Sequence, residues 1–512
     1  MIKTMSVSKS LLSQLLEGER VVSIKNVVTN GLPAETSGLH QLYRLAGAEN
    51  SSEVGEFGPV LASKSLEDHS AAPELRRYEA VFGRDALRVA LDLLEQYPKL
   101  ARSTLVMLAE LQGVSVNVDR EEEPGRIIHE ARDPETDPIA RHLSDEFGWG
   151  WPYYGSIDST VEFIRTMAAY CTKSSDGPKF LEQTYQGRDG HSHTMGEAMV
   201  AAVEWVTNRL DSNPEGLLEF KRMNPQGIEN QVWKDSWDAY AHASGEIANH
   251  GRGIASIEVQ RVAFDALLDA AGFYEKYFDK KEEAIALRQR SQNLQKTILD
   301  KFWSEDRGGF FVLGTDRDGG GNLRQLAVRT SNMGHVLGSP LLLGGSQPEN
   351  VRRREALIRH LFSPDMLNVS GIRTLAKDEY RFRPGAYHNG SVWLWDTYFI
   401  ARGLDLHGYH RLANELNNRL QDVVTATRQF PEFVRGGDEP EPAVNTRVVE
   451  IWDEKYSRLN RLEQPPQEVQ AWTVAAILSM PQITVKGGPK SPDFAKASFE
   501  DEILGSILAQ KQ

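Results

Sequence analysis

A single cysteine, Cys171, occurs in 512 residues, so no internal disulfide can form. Its surroundings, AAYCT over 168–172, read as a small buried hydrophobe rather than a nucleophile and fit a reducing compartment. No run approaches the roughly 18 apolar residues of a membrane span, and the N-terminal stretch MIKTMSVSKSLLSQLLEGER has neither the apolar core nor the small-residue cleavage site of a secretory signal. A soluble cytoplasmic protein with no membrane partner is expected. Positive charge is also short: 58 Lys+Arg stand against 72 Asp+Glu, a formal net charge of −14, which excludes the basic footprint that nucleic acid requires. No phosphate-binding GxxxxGK[ST] occurs, and HSH at 191–193 lacks metalloprotease spacing. In DRDGGGN (316–322) the twelfth position counted from Asp316 is Ala327 rather than the glutamate of a calcium loop, so Gly319–Gly321 read instead as the turn of a β-hairpin between FFVLG and LRQLAV. No metal and no cofactor are expected.

What the chain has is apolar and aromatic material for a large core, with 10 Trp, 15 Tyr and 19 Phe. Residues 1–75 are rich in β-branched and turn-forming positions, as in RVVSIKNVVTN (20–30) and GEFGPVLAS (55–63), and predict a small β-rich appendage. From about residue 85 the period is helical. Ala284, Leu287, Leu294, Ile298 and Phe302 recur at steps of three or four, with Ser291 filling one slot, and give an outer, half-exposed helix over 281–303. By contrast, 254–274 and 391–406 are apolar over most of their circumference, as inner helices are. Helices fall into six consecutive pairs: 85–97 with 99–112, 159–173 with 195–209, 254–278 with 281–303, 330–338 with 348–362, 391–407 with 410–427, and 467–480 with 495–509. Several pairs are joined tightly, at 97–98, Asp279 and 407–409, whereas links between pairs are far longer than usual connections. If inner and outer helices alternate around a ring, the long links meet on one rim, over the inner-helix N-termini. The expected architecture is all-α, an (α/α)6 barrel over 76–512 behind the appendage.

The rim segments FGRDA (82–86), YYGSIDST (153–160), NQVWKDSWDAYAHASGE (230–246) and AYHNGSVWLWD (386–396) each combine Gly, aromatics and a carboxylate. Aromatic faces beside short polar side chains suit a sugar, apolar on its faces and hydroxylated at its edge. Glycoside hydrolysis needs one carboxyl kept protonated for the leaving oxygen and one ionised to activate water or to attack. Asp235 and Glu432 are the favoured pair. Asp235 lies between Trp233 and Trp237, where partial desolvation keeps an acid usable, although it could equally cap a short helix from Ser236. Glu432 lies in the punctuated loop QFPEFVRGGDEPEP (429–442), and composition does not choose among Glu432, Glu439 and Glu441. In REEEPGRIIHEARD (120–133), Pro124 and Gly125 break the charge run before Ile127 and Ile128, which could turn His129 and Glu130 inward.

Taken in order, FGRDALRVALDLL, REEEPGRIIHEARD, YYGSIDSTVEFI, NQVWKDSWDA, EVQRVAFDAL, YHNGSVWLWD, PEFVRG and VQAW resemble the catalytic domain of amylo-α-1,6-glucosidase-like proteins. That is the glucosidase portion related to glycogen debranching enzymes and, more distantly, to small inverting α-glycosidases. The resemblance spans roughly residues 78–480. It implies an (α/α)6 barrel and an inverting mechanism, with Asp235 as general acid and Glu432 as general base. It also implies that Arg84, Asp85, Glu130, Asp158, Trp233, Lys234, Gln260, His388, Asn389 and Trp393 shape the sugar pocket. Two positions depart from the family: Val232 stands where Gly is frequent in NQGWKDS, and Trp395 stands where His is frequent in SVWPHD.

Two other readings compete. Sugar 2-epimerases share the α/α barrel and use paired histidines, and His242, His335 and His388 all fall on rim segments. A carbohydrate-binding barrel without catalysis would have the same aromatic segments.

Overall fold

The computed structural model describes residues 37–66, 76–343, 348–480 and 494–510. Helices dominate, and most strands are only two to six residues long. The main helices are α1 (Gly38–Ala46), α2 (Gly83–Asp92), α3 (Pro98–Glu110), α4 (Asp158–Lys173), α5 (Met195–Ser212), α6 (Ile257–Tyr277), α7 (Lys281–Lys301), α8 (Asn332–His335), α9 (Pro348–Leu361), α10 (Leu394–Leu406), α11 (His410–Thr427), α12 (Ala471–Ser479) and α13 (Phe494–Gln510).

Their starts follow local chemistry. Pro98 opens α3, where a missing N–H costs nothing. Thr194 and Glu197 form a reciprocal capping box at α5. The periodic stripe Ala284, Leu287, Ser291, Leu294 and Ile298 is the buried face of α7, and its charged face looks outward. α6 and α10 are buried on nearly all sides, as their continuous apolar sequences require.

Neighbour contacts organise these helices. α2 packs on α4, α4 on α6, α6 on α8, α8 on α10, α10 on α12, and α12 returns to α2. Around them α3 backs α2, α5 backs α4, α7 backs α6, α9 backs α8 and α11 backs α10. The sixth outer position differs from the sequence pairing of 467–480 with 495–509. α12 is backed by α1, and α13 lies instead against α11, where Phe499 meets the Tyr409 ring at 5.9 Å.

Over 37–66, the described part of residues 1–75, the arrangement differs from the β-rich expectation. The segment 20–30 lies outside the described residues. Within 55–63 the chain turns, with Gly55 and Gly58 at φ +86° and +122°, and only Ser63–Lys64 becomes a strand. Residues 38–46 are helical because Ser37 caps them and Leu42 and Leu45 fall on one face, which joins an apolar cluster with Val474 and Ile477 of α12. The fourth inner helix is short as well: four α-helical residues continue into a 3-10 turn over Val336–Gly338. The Gly319–Gly321 hairpin forms as read, pairing Gly314–Arg317 with Leu323–Leu326. Cys171 is buried and free, and burial pushes its thiol up to about 12, so it is a packing residue. Among the described residues, no helix is long and apolar enough to cross a membrane.

Candidate active site

Short strands pin the rim loops to the starts of the inner helices. Val81–Phe82, before α2, pairs with Glu130–Ala131; Val392–Trp393, before α10, pairs with Phe433–Val434; Val469–Gln470, before α12, pairs with Ser63–Lys64. Each pair fixes a carboxylate-bearing loop against rigid structure. The loop around Glu432 is held especially closely, because a Cβ on Gly436 would lie 1.7 Å from the Gly390 carbonyl oxygen, so only glycine permits that approach.

Asp235 and Glu432 sit in one electrostatic neighbourhood. Both carboxyls are held above the usual carboxylate range, by burial first, and the charge of Asp235 is among the causes that raise Glu432. Their surroundings differ in what they donate. Glu432 is 1% exposed and accepts the Tyr387 hydroxyl on Oε1 and the Gln467 backbone N–H on Oε2 at 3.1 Å. Asp235 keeps 27% of its side chain open and receives only a 3.5 Å contact from Arg84, whose guanidinium also faces Asp158 at 3.2 Å and Asp85 at 3.7 Å. Two hydrogen-bond donors at Glu432 and the Arg84 charge at Asp235 each favour an ionised carboxyl against burial, which pushes Asp235 up to about 7 and Glu432 up to about 8, so the two titrate as a coupled pair near neutrality.

Adjacent residues link the two groups. Tyr387 contacts Glu432, and its neighbour His388 accepts on Nδ1 from the Ser236 backbone N–H at 3.3 Å and lies 2.9 Å from the Ser236 hydroxyl. Since a backbone N–H only donates, Nδ1 is unprotonated and the imidazole is neutral, in keeping with burial that lowers its pKa well below the usual histidine value. His388 stacks on Trp393 at 5.2 Å, and Trp393 donates its indole N–H to the Tyr387 carbonyl at 2.8 Å. One Trp thus orients the pair of residues that touch Glu432 and the neighbour of Asp235.

The other expected site residues divide. Arg84, Asp85 and Asp158 join Asp235, and burial pushes Asp85 up to about 7 while Gln470 donates to it at 3.2 Å. Trp233 packs edge-to-face on His388, Trp393 and Trp395, at 5.4, 5.8 and 5.0 Å. Lys234 donates to the Thr374 carbonyl at 2.6 Å, and burial lowers its pKa to about 8. Asn389 donates to the Asp238 carboxylate at 3.1 Å. Glu130 turns inward with His129 but is spent on Arg132. Gln260 does not join the group: its amide accepts the Leu218 N–H at 2.9 Å and donates to the Leu218 carbonyl at 2.8 Å, which ties a loop to α6. Both family departures are buried, Val232 in the apolar core and Trp395 stacked on Trp472 at 4.9 Å.

Sequence reasoning missed Tyr387, Ser236 and the Gln467 backbone. The first two are polar neighbours of residues already singled out, whereas a backbone donor has no sequence signature. Buried donors with no hydrogen-bond partner among the described residues gather here: the indole N–H groups of Trp233, Trp395 and Trp472, and His388 Nε2. The three tryptophans line an internal cavity with Arg84 and Asp158. That cavity, of about 30 Å³, has room for about one water molecule and is lined by neither Asp235 nor Glu432.

Residues 179–434, half of the chain, match the model of the mannosylglycerate hydrolase MGH1-like glycoside hydrolase domain. The chain belongs to this glycoside hydrolase family. Among solved structures it is similar to the GH63 mannosylglycerate hydrolase from Thermus thermophilus. The complex with Tris is 14% identical with a TM-score of 0.53, and the complex with glucose is 14% identical with a TM-score of 0.54. Each likeness covers 88% of this chain and 99% of that one. At that identity the likeness speaks for the fold. No curated protein matches the chain. The amylo-α-1,6-glucosidase resemblance is thereby narrowed to an MGH1-like glycosidase.

Proposed function

We propose that this protein is an inverting α-glycosidase acting on an α-linked glucoside or related hexoside, with Asp235 as general acid and Glu432 as general base. The family match supports glycoside hydrolysis, and the observation that carries the roles is the unequal hydrogen bonding of two coupled carboxyls. Glu432 takes a proton from a water molecule as its oxygen attacks the anomeric carbon. The bond to the leaving oxygen breaks, and that oxygen takes the proton of Asp235. Solvent then returns the proton from Glu432 to Asp235. Tyr387 holds Glu432 ionised and aimed, and Arg84 keeps Asp235 within a web of three carboxylates.

The closed succession of inner-helix contacts supports an (α/α)6 barrel that takes in α1 as the outer partner of α12, so the barrel starts before residue 76. A carbohydrate is the only partner this reading requires, and it requires no cofactor or metal. The epimerase alternative is less favoured because His335 is tied to Asp396, His242 to Asp316 and His388 to Ser236, each in a separate network.

The test is direct. Asp235→Asn and Glu432→Gln should each lower turnover by roughly 10²–10⁴-fold with the fold intact by circular dichroism. Proton NMR in the first minutes should show the β anomer released from an α-glycoside; initial release of the α anomer excludes inversion.

A further inference from the structure

Resting on that reading, we propose that the cleft on the acid side of the site binds a saccharide leaving group, so that the preferred substrate carries at least one further sugar ring beyond the bond it loses. The acid defines the leaving-group side, because it protonates the departing oxygen. From Asp235 the chain runs directly into this cleft. Asp238 lines it together with Asn389, which donates to Asp238, and with Ala386, which precedes Tyr387. The cleft has a volume of about 530 Å³.

Its far wall is the hairpin of Val449–Asp453 and Arg458–Glu463. Strand side chains alternate between faces. Accordingly Ile451, Asp453, Asn460 and Leu462 face this cleft, whereas Val448, Glu450 and Arg461 face a second cleft of about 490 Å³ that reaches Tyr78 and Gln467 beside the base. One ribbon therefore separates the leaving-group side from the side on which water must arrive.

The lining selects a chemical class. Tyr380 is 77% exposed and lies over Gly245, where a Cβ would come within 2.2 Å of the ring. Tyr456 accepts the Ile247 N–H on its hydroxyl at 3.1 Å and meets the Trp237 ring at 5.3 Å. Both rings present aromatic faces along an open groove. Charge in the groove balances: Arg381, Arg383 and Lys455 stand opposite Asp238, Glu246 and Asp453, and Arg381 is already engaged by Asp238 at 3.7 Å and the Gly245 carbonyl at 2.9 Å. An anionic leaving group such as glycerate calls for a cationic surplus and would fill a small part of this volume. A neutral ring with apolar faces and hydroxyl edges fits both the aromatics and the mixed polar rim.

Specificity constants would be measured on matched sets in the α-glucosyl and α-mannosyl series: the glycosyl fluoride, the glycosylglycerate, and the disaccharide and trisaccharide in α-1,2, α-1,4 and α-1,6 linkage. The fluoride needs neither proton donation nor a leaving-group site. The expected order is glycosylglycerate below disaccharide below trisaccharide for one linkage, and Tyr380→Ala should lower kcat/KM for that trisaccharide about tenfold while leaving the fluoride unchanged. A glycosylglycerate turned over faster than every saccharide, or a Tyr380→Ala enzyme with the wild-type preference, overturns the proposal alone. If Glu432→Gln hydrolyses fluoride as fast as wild type, the acid and base assignment fails and the cleft assignment with it.

Discussion

The two ends of the inner helices treat the same residue types in opposite ways. At the C-terminal ends, Asp92 of α2 is held by Arg88 through two 3.0 Å hydrogen bonds and by Arg402 at 2.5 Å, Lys173 reaches Glu95 at 2.7 Å, and Arg165 reaches Asp269 at 3.3 Å. Cations there match or outnumber the carboxylates they serve. At the N-terminal ends a single guanidinium, that of Arg84, serves Asp85, Asp158 and Asp235, and Glu432 takes its hydrogen bonds from a phenol and a backbone N–H, with Arg77 acting on it through space rather than as an ion pair among the described residues. Carboxyls kept short of compensating charge are the ones whose protonation rises toward neutrality, which is the property acid and base catalysis uses.

That contrast can be broken most severely at Arg84. Arg84→Met leaves three clustered carboxyls without their shared cation, and the unfolding free energy at neutral pH should fall by about 3–5 kcal/mol, measured by urea denaturation. Unchanged stability would mean that the web is not held by this side chain.

A smaller effect is expected at Tyr387. Its hydroxyl favours ionised Glu432, so Tyr387→Phe raises the pKa of the base. We expect kcat to fall about tenfold with KM nearly constant, and the acidic limb of the pH–rate profile to move to higher pH. A profile that keeps its limb removes the positioning role.

The acid makes a prediction of opposite sign for stability and activity. Because the folded state holds Asp235 above its unfolded pKa, its contribution to stability is fully present below the unfolded value and is lost as pH rises through the raised folded value. The inactive Asp235→Asn protein should therefore gain Tm over wild type as pH goes from 4 to 8, with the gain nearest zero at the acidic end. A difference in Tm that is flat with pH contradicts this.

The mildest effect belongs to the other end. Arg402→Gln leaves Asp92 with Arg88, and the half-exposed Arg402 should cost no more than about 1 kcal/mol with kcat and KM unaltered. Any change in turnover would show that the two ends communicate.

Much of this was readable from residue order. The apolar period separated inner from outer helices, as α6 and α7 illustrate, because a helix covered on all sides and one covered on a single stripe must carry different patterns. The rim segments carried Arg84, Asp85, Asp158, Trp233 and Asp235 to one place, since each lies just before or within the first turns of an inner helix or in a long link. What was not legible has a common cause in non-local pairing. Nothing in LHQLYRLA says that its partner lies more than 400 residues away, and nothing in Gln260 distinguishes a sugar-facing amide from one spent on Leu218. The hairpin at 449–463 was also missed, because its strands alternate charged and apolar residues without an Asn-Gly or Asp-Gly turn to mark them.

The seating of α1 on α12 has a consequence for how the molecule comes to exist. A ribosome emits residues 38–46 more than 400 residues before 471–479, so α1 waits through that stretch of translation before its docking partner appears. Until then the part of its apolar stripe that meets Val474 and Ile477 has no cover, and the ring stays open at this seam. Stalled or truncated synthesis should thus leave an open circle that a chaperone must shield, and joining the two termini while cutting elsewhere should let the seam close early.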